Sequence, residues 1–295
     1  MIFLERAAAT LEISEALFGP IAFLDAPIGI DYHQPANSLV VSYNHFAGGL
    51  PNSFARVFTN IVMSNGAPVT NVVIQNDWSG IAGLPNEVKL ATVKATVSGF
   101  TIGDMFFSNG GNVGWLSADA TASNLVWCVI PNVDQVEGVY LDRSGVWNND
   151  LVVTTGLTQS KKVWRVGADR QALFIADVPS GMLGSLITLA NDPAKWGPLA
   201  GKALTGGEMD QTVVAIDTSG NSSVVLSGFN PEDFRVIPAG QDLYACDPSF
   251  FDPQGGQGAI VKLPAAMFAG HDGDLIVIDE GELEAPARLV NRGLR

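Results

Sequence analysis

The sequence predicts an all-β fold closed into a ring: a six-bladed β-propeller of four-stranded antiparallel blades. Three observations predict it. A turn-then-strand pattern returns six times, the composition favours strands and tight turns, and helical periodicity is scarce. Of 295 residues, 47% are hydrophobic, enough for a large core, while 32 Gly and 16 Pro supply many reversals. The best helical stretch is "FLERAAATLEI" near the start, so residues 1–12 are expected to form a helical N-terminal segment. Closed all-β folds often run to this length as one unit, and a single domain over residues 1–295 is the expectation.

The repeat is clearest at "NNDLVVTTG" (148–156), a turn pair followed by a short apolar strand ending in small polar residues. It returns as "NSLVVSYN", "GDMFFSN", "GKALTGGE", "QDLYACD" and "GDLIVIDE". The strands begin at Leu39, Met105, Leu151, Ala203, Leu243 and Leu275, at intervals of 66, 46, 52, 40 and 32 residues. Propeller blades repeat at roughly 40 to 50 residues.

Each block has a strand upstream. In "PIGIDYHQPANSLVVSYN" a strand from Ile28 to Tyr32 turns over His33 to Asn37 into a second strand. "VEGVYLDRSGVWNNDLVVTTG" repeats that layout, and "KKVWRV" and "ALFIADV" supply the third and fourth strands. "PEDFRVIPAGQDLYACD" is read as a third such hairpin turning at "PAGQ", followed by "GAIVKLP". Asn, Asp and Gly at the turns tolerate the backbone angles that a tight reversal needs.

The long first interval carries a loop insertion at residues 76–87. The chain ends soon after "GDLIVIDE", leaving room for one more strand at "ARLVN". An N-terminal strand within "ISEALFGPIAF" is therefore expected to complete the last blade and remove its exposed edge.

Thirty acids against sixteen bases give a net charge of −14, with three histidines and no basic run. That argues against nucleic acid and anionic membranes as partners, and favours cations or basic ligands; plain solubility is the competing explanation. A small-molecule ligand and a monomeric state are expected. Cys128 and Cys246 both lie in apolar runs and read as buried thiols. No apolar run approaches the about 18 residues of a membrane span. The first residues lack a signal-peptide pattern, which suits a cytoplasmic protein or the mature form of a periplasmic or secreted one.

In a propeller, the loops that lead into each first strand and leave each second strand meet at one mouth of the central channel. The residues expected there are Asn44, His45, Asn109, Thr155, Glu208, Asp247, Asp279 and Glu280, with Asp25, Glu137, Glu232 and Asp233 on the approaches. Glu137 and Glu232 hold equivalent places two blades apart, and Gly184 stands where the intervening acid would fall. Converging carboxylate and amide oxygens suit a hard cation such as Ca²⁺; solvated loop acids are the competing explanation. His45 and Asp233 are the candidate acid–base residues. The tryptophans Trp115, Trp127, Trp147, Trp164 and Trp196 are expected to pack between blades.

The layout resembles the six-bladed propellers that include senescence-marker and gluconolactonase-type lactonases, strictosidine-synthase-like proteins and paraoxonases. The resemblance rests on "LDAPIGIDY", "VEGVYLDRSG", "DLVVTTG", "VWRV" and "PEDFRVI". It implies one divalent cation at the channel mouth, acting as a Lewis acid on a lactone or ester. By position, Asp25, Glu137 and Glu232 (or Asp233) match the carboxylate ligands, with Asp25 where lactonases carry Glu. The family's asparagines have no clear counterpart, since "NDP" (191–193) reads as a turn on the opposite face. Two functions follow: a metal-dependent hydrolase of lactone or ester type, or a non-catalytic propeller that binds a ligand or protein.

Overall fold

Short runs of Val, Leu, Ile and Phe bounded by Asn, Asp and Gly pair antiparallel throughout this computed structural model. It describes residues 20–44, 52–64, 67–85, 87–156, 161–178, 183–228, 230–251, 257–279 and 288–291. The expected N-terminal helix, His45 and Glu280 lie outside those residues.

The chain begins with β1 (Pro20–Phe23). The first blade follows as β2 (Ile30–His33), β3 (Ser38–Tyr43), β4 (Asn52–Ser64) and β5 (Ala67–Gln75), with a short β6 (Ala82–Leu84) against β4. The second is β7 (Leu90–Thr92), β8 (Met105–Asn109), β9 (Asn112–Leu116) and β10 (Ser123–Val129). The third is β11 (Val136–Leu141), β12 (Leu151–Thr155), β13 (Lys162–Val166) and β14 (Ala172–Asp177). The fourth is β15 (Leu183–Thr188), β16 (Ala203–Gly207), β17 (Thr212–Ile216) and β18 (Ser222–Ser227). The remaining strands are β19 (Pro231–Val236), β20 (Leu243–Phe251), β21 (Gln257–Leu263), β22 (Leu275–Asp279) and β23 (Arg288–Asn291).

The blade count differs from the six expected. β19 does not form a hairpin with β20; it pairs with β22, which pairs with β23. "PEDFRVI" and "GDLIVIDE" thus share one blade, the fifth. The ladder continues past the strand, with the Ile237 amide donating to the Asp274 carbonyl at 2.9 Å and the Gly273 amide to the Ile237 carbonyl at 2.8 Å. The intervening β20 and β21 form a three-stranded sheet with β1, in which β1 pairs antiparallel to β21. The structure is therefore a propeller arrangement of five blades, and this extra sheet stands between the fifth blade and the first. Packing selects the pairing: Phe234 of β19 and Val277 of β22 enter one buried cluster with Ile187, Leu204 and Val213 of the fourth blade.

Innermost strands β2, β7, β11, β15 and β19 pack side by side in that order, and β20 lies against β2. Every gap between neighbouring sheets is filled by its own apolar cluster. Phe54 and Phe107 meet edge-on at 5.1 Å between the first and second blades. Phe106, Trp127 and Trp164 pack between the second and third, and Trp147 is fully buried between the third and fourth. Ala22, Leu39, Val41 and Ile260 join the three-stranded sheet to the first blade, while Val261, Phe268 and Ile276 join it to the fifth.

The loop that enters the clearest repeat is built around Asp142. Its Oδ1 accepts from the Ser144 amide and hydroxyl and from Thr188 Oγ1 of the next blade, at 2.9, 2.6 and 2.7 Å. Its Oδ2 accepts from the amides of Trp147 and Asn149 at 2.9 and 3.1 Å. Asn148 and Asn149 have φ of 63° and 56°, the left-handed conformation expected of the turn pair.

Removing residues 1–23 deprives β21 of one of its two strand partners and takes Ala22 out of the core, so the melting temperature is expected to drop by several degrees. An unchanged melting curve for a monomeric truncated chain would show that β1 is dispensable to the ring.

Candidate functional site: a charged channel

The innermost strands of the third, fourth and fifth blades all begin with a shift in ladder register: between Val136 and Gly138, between Leu183 and Leu186, and between Pro231 and Asp233. Such bulges re-aim the side chain that they release from the pleat. Glu137, Gly184 and Glu232 sit at these breaks, as their equivalent places in the sequence suggest. At Gly184 the missing side chain has a cause. A Cβ there would lie 2.3 Å from Glu208 Oε1, so the glycine makes room for a carboxylate that the neighbouring strand supplies.

A lysine meets these acids. Lys89, one residue before β7, is held by its own backbone: its amide donates to Ser108 Oγ and its carbonyl accepts from the Ser108 amide, both at 3.0 Å. Its ammonium contacts Glu87 Oε1 at 2.5 Å and pairs closely with Glu232 Oε1. Burial works against a charge here, but Glu232 and Glu87 outweigh it and hold the ammonium protonated well above the usual lysine range. Glu137 lies in the same electrostatic field, with no ion pair among the described residues. Burial, and then the negative charge of Glu87, push its carboxyl up to about 7. Its Oε2 accepts from Gln135 Nε2 at 3.2 Å, whereas its buried Oε1 has no hydrogen-bond partner among the described residues.

The other expected residues disperse. Asp25 is exposed, and its carbonyl accepts from the Asn44 amide at 2.7 Å. Asp233 forms a two-pronged pair with Arg235, Oδ1 to Nη1 at 3.0 Å and Oδ2 to Nη2 at 2.9 Å. Asn109 donates from Nδ2 to the Leu125 carbonyl at 2.8 Å, and Thr155 from Oγ1 to the Lys162 carbonyl at 3.3 Å. Asp247 stands opposite Ala259 in the β20–β21 ladder, and Asp279 opposite Pro231 in the β19–β22 ladder. His33 is buried, its Nδ1 accepting from the Ala36 amide at 3.3 Å. Among the described residues, no three His, Cys, Asp or Glu side chains are grouped to hold a metal ion. The set Asp25, Glu137 and Glu232 therefore does not fit a divalent cation as placed: one member is exposed, and an ammonium already pairs with another.

A cavity of about 590 Å³ runs along the channel from Lys89 and Glu232 to Arg143, Asp192 and Lys195 at the opposite end. Asp31 of β2 organises that far end. Its Oδ2 accepts from the Thr92 amide and hydroxyl at 2.7 and 3.0 Å, and its Oδ1 pairs with Lys94 at 2.7 Å. Burial opposes the charge of Asp31, but Lys94, Arg143 and Arg235 overcome it and hold the carboxyl at about 2. Burial also brings Lys94 down to about 8, against the pull of Asp31. Sequence reasoning that followed only the acids missed Lys89, Lys94, Arg143 and Arg235. The available signal was that these few bases of an acidic chain fall on or beside innermost strands.

No protein-family model matches the chain, and no curated protein matches it. Among solved structures it is similar to a gluconolactonase from Xanthomonas campestris, at 12% identity over 88% of this chain and 99% of that one, with a TM-score of 0.41. It is also similar to a catalytically inactive virginiamycin B lyase from Staphylococcus aureus, determined with quinupristin, at 11% identity over 97% of this chain and 88% of that one, with a TM-score of 0.39. Likeness this distant leaves the chemistry to be argued from the side chains alone.

Two outcomes follow. Lys89→Met leaves the half-buried Glu87 and Glu232 without their counter-ion and is expected to cost about 2–4 kcal/mol in urea denaturation. Adding Glu232→Gln should recover part of that loss; an additive double mutant would disprove the pairing. Glu137 has a folded-state pKa above its unfolded value, so the folded chain keeps a proton that the unfolded chain releases. Its contribution to stability is full below the ordinary glutamate pKa and lost as pH rises through about 7. The stability of Glu137→Gln relative to the unsubstituted chain should therefore rise between about pH 5 and pH 8. Parallel stability curves would give Glu137 an ordinary pKa.

Proposed function

We propose that this chain is a non-catalytic propeller that binds a small molecule in its channel, and that Lys89 supplies the positive charge its acidic axis requires. One observation carries this reading: the Lys89 ammonium pairs with both Glu87 and Glu232, among the carboxylates from which a metal site would have to be built. A buried carboxylate needs a counter-charge, and an ammonium or a metal ion can provide it. A cavity of about 590 Å³ falls in the range of small-molecule sites, which are mostly apolar with a few placed polar groups.

A second reading is favoured by Glu137. A buried carboxyl near pH 7 with one oxygen unpartnered has the properties of a general acid or base, as a hydrolase of lactone or ester type would use. In that reading a divalent cation, probed as Ca²⁺, would have to displace Lys89 from Glu87 and Glu232.

Elemental analysis of the purified protein, together with a lactone and ester panel with and without EDTA, separates the two. The binding reading expects no stoichiometric divalent metal, no turnover, and a melting temperature that EDTA leaves unchanged. It also expects Ca²⁺ to stabilise Lys89→Met, whose acids are freed, and not the unsubstituted chain. Stoichiometric metal with EDTA-sensitive turnover that disappears in Glu137→Gln would overturn it in favour of the hydrolase.

A further inference from the structure

The charges at the two ends of the channel are balanced differently. Near Lys89 one base meets several acids. Away from Lys89 the acids of the wall have partners: Asp31 pairs with Lys94 at 2.7 Å, and Asp233 with both nitrogens of the Arg235 fork. Asp192, at the far end, spends its Oδ1 on the Ala194 and Lys195 amides at 3.1 and 3.2 Å, at the start of the single-turn helix α1 (Pro193–Trp196).

Two bases remain. Arg143 lines the cavity with its side chain 48% exposed, and its one ion pair among the described residues is a long contact with Asp31 at 3.9 Å. Lys195 lines the same end, its ammonium 4.5 Å over the Trp196 ring. The loop that carries Arg143 is anchored by the five hydrogen bonds to Asp142, so the guanidinium projects from fixed backbone. Below it the wall is apolar and aromatic, with Tyr140, Ile30, Leu90 and Ile187 alongside Trp196.

Resting on the reading of the channel as a small-molecule site, we infer that its ligand is a small organic carboxylate with an apolar body: the carboxylate is taken by Arg143 with Lys195 beside it, and the body lies against Tyr140 and Trp196. The planar guanidinium fork matches a carboxylate through two parallel hydrogen bonds, and the ammonium adds a point charge. The aromatic and aliphatic walls contribute by apolar burial. The preference is local, because the chain as a whole carries a net charge of −14 and repels anions at long range.

Titration calorimetry with 4-phenylbutyrate, its neutral amide and 4-phenylbutylamine tests this. The carboxylate is expected to bind at least about tenfold more tightly than the amide, the scale of one charge-assisted contact, and the amine not at all. Arg143→Gln should bring the carboxylate down to the level of the amide with an unchanged circular dichroism spectrum, while Arg143→Lys should keep part of the preference. Equal binding of carboxylate and amide, or a preference that survives Arg143→Gln, would overturn the assignment of an anion and leave the channel as a ligand site. Failure of the carboxylate to bind at millimolar concentration would also overturn it. Metal-dependent turnover, in contrast, would remove the reading of the channel as non-catalytic without bearing on Arg143.

Discussion

Every sheet of this fold has two apolar faces, and neither can be left to water. That requirement organises the rest. Strands such as β3 and β12 are buried on both faces, so each sheet must stand between two others. The apolar clusters that fill the gaps between sheets are the result, and a ring satisfies the requirement for all sheets at once. The three-stranded sheet of β1, β20 and β21 follows from the same demand. Without it, one face of the first blade and one face of the fifth would be bare.

Closing the ring brings the innermost strands together along a narrow axis, and this creates an electrostatic problem that the sequence must also solve. Acids drawn from several blades come close in a region with little water, where like charges repel strongly and each ion has lost its hydration. The chain answers with bases on or beside the same strands: Lys89 at one end, and Lys94 and Arg235 at the other. Glu137 has no ion pair among the described residues, and burial together with the charge of Glu87 raises its pKa. The channel's charges are thus compensated in part, and its uncommitted positive charge is concentrated at Arg143 and Lys195.

Much of the architecture was legible in the sequence. The turn pair Asn148–Asn149 takes the left-handed angles its residue types allow, and the strand starts at Met105, Leu151, Ala203, Leu243 and Leu275 coincide with those observed, while β3 begins one residue before Leu39, at Ser38. The equivalence of Glu137, Gly184 and Glu232 was also legible, because it depends on blade spacing. The partner of β19 was not. "QDLYACD" and "GDLIVIDE" are both apolar strands after a turn, and local pattern offers no means of choosing between them. Lys89 was overlooked as well, because its role exists only where Glu232, far away in the chain, folds against it.

The sequence by itself determined that the chain is built of short antiparallel strands, where most of them begin, and which residues turn it; these depend on neighbours within a few positions. Only the tertiary structure decided that the last two repeats fall in different sheets, with "PEDFRVI" pairing to "GDLIVIDE", that a lysine lies among the axial acids, and that Arg143 is left with charge to spare. Those outcomes are set by distances between residues far apart in the chain, and a repeating pattern carries no information about which of two similar strands, or which of several charges, will be nearest once the ring has closed.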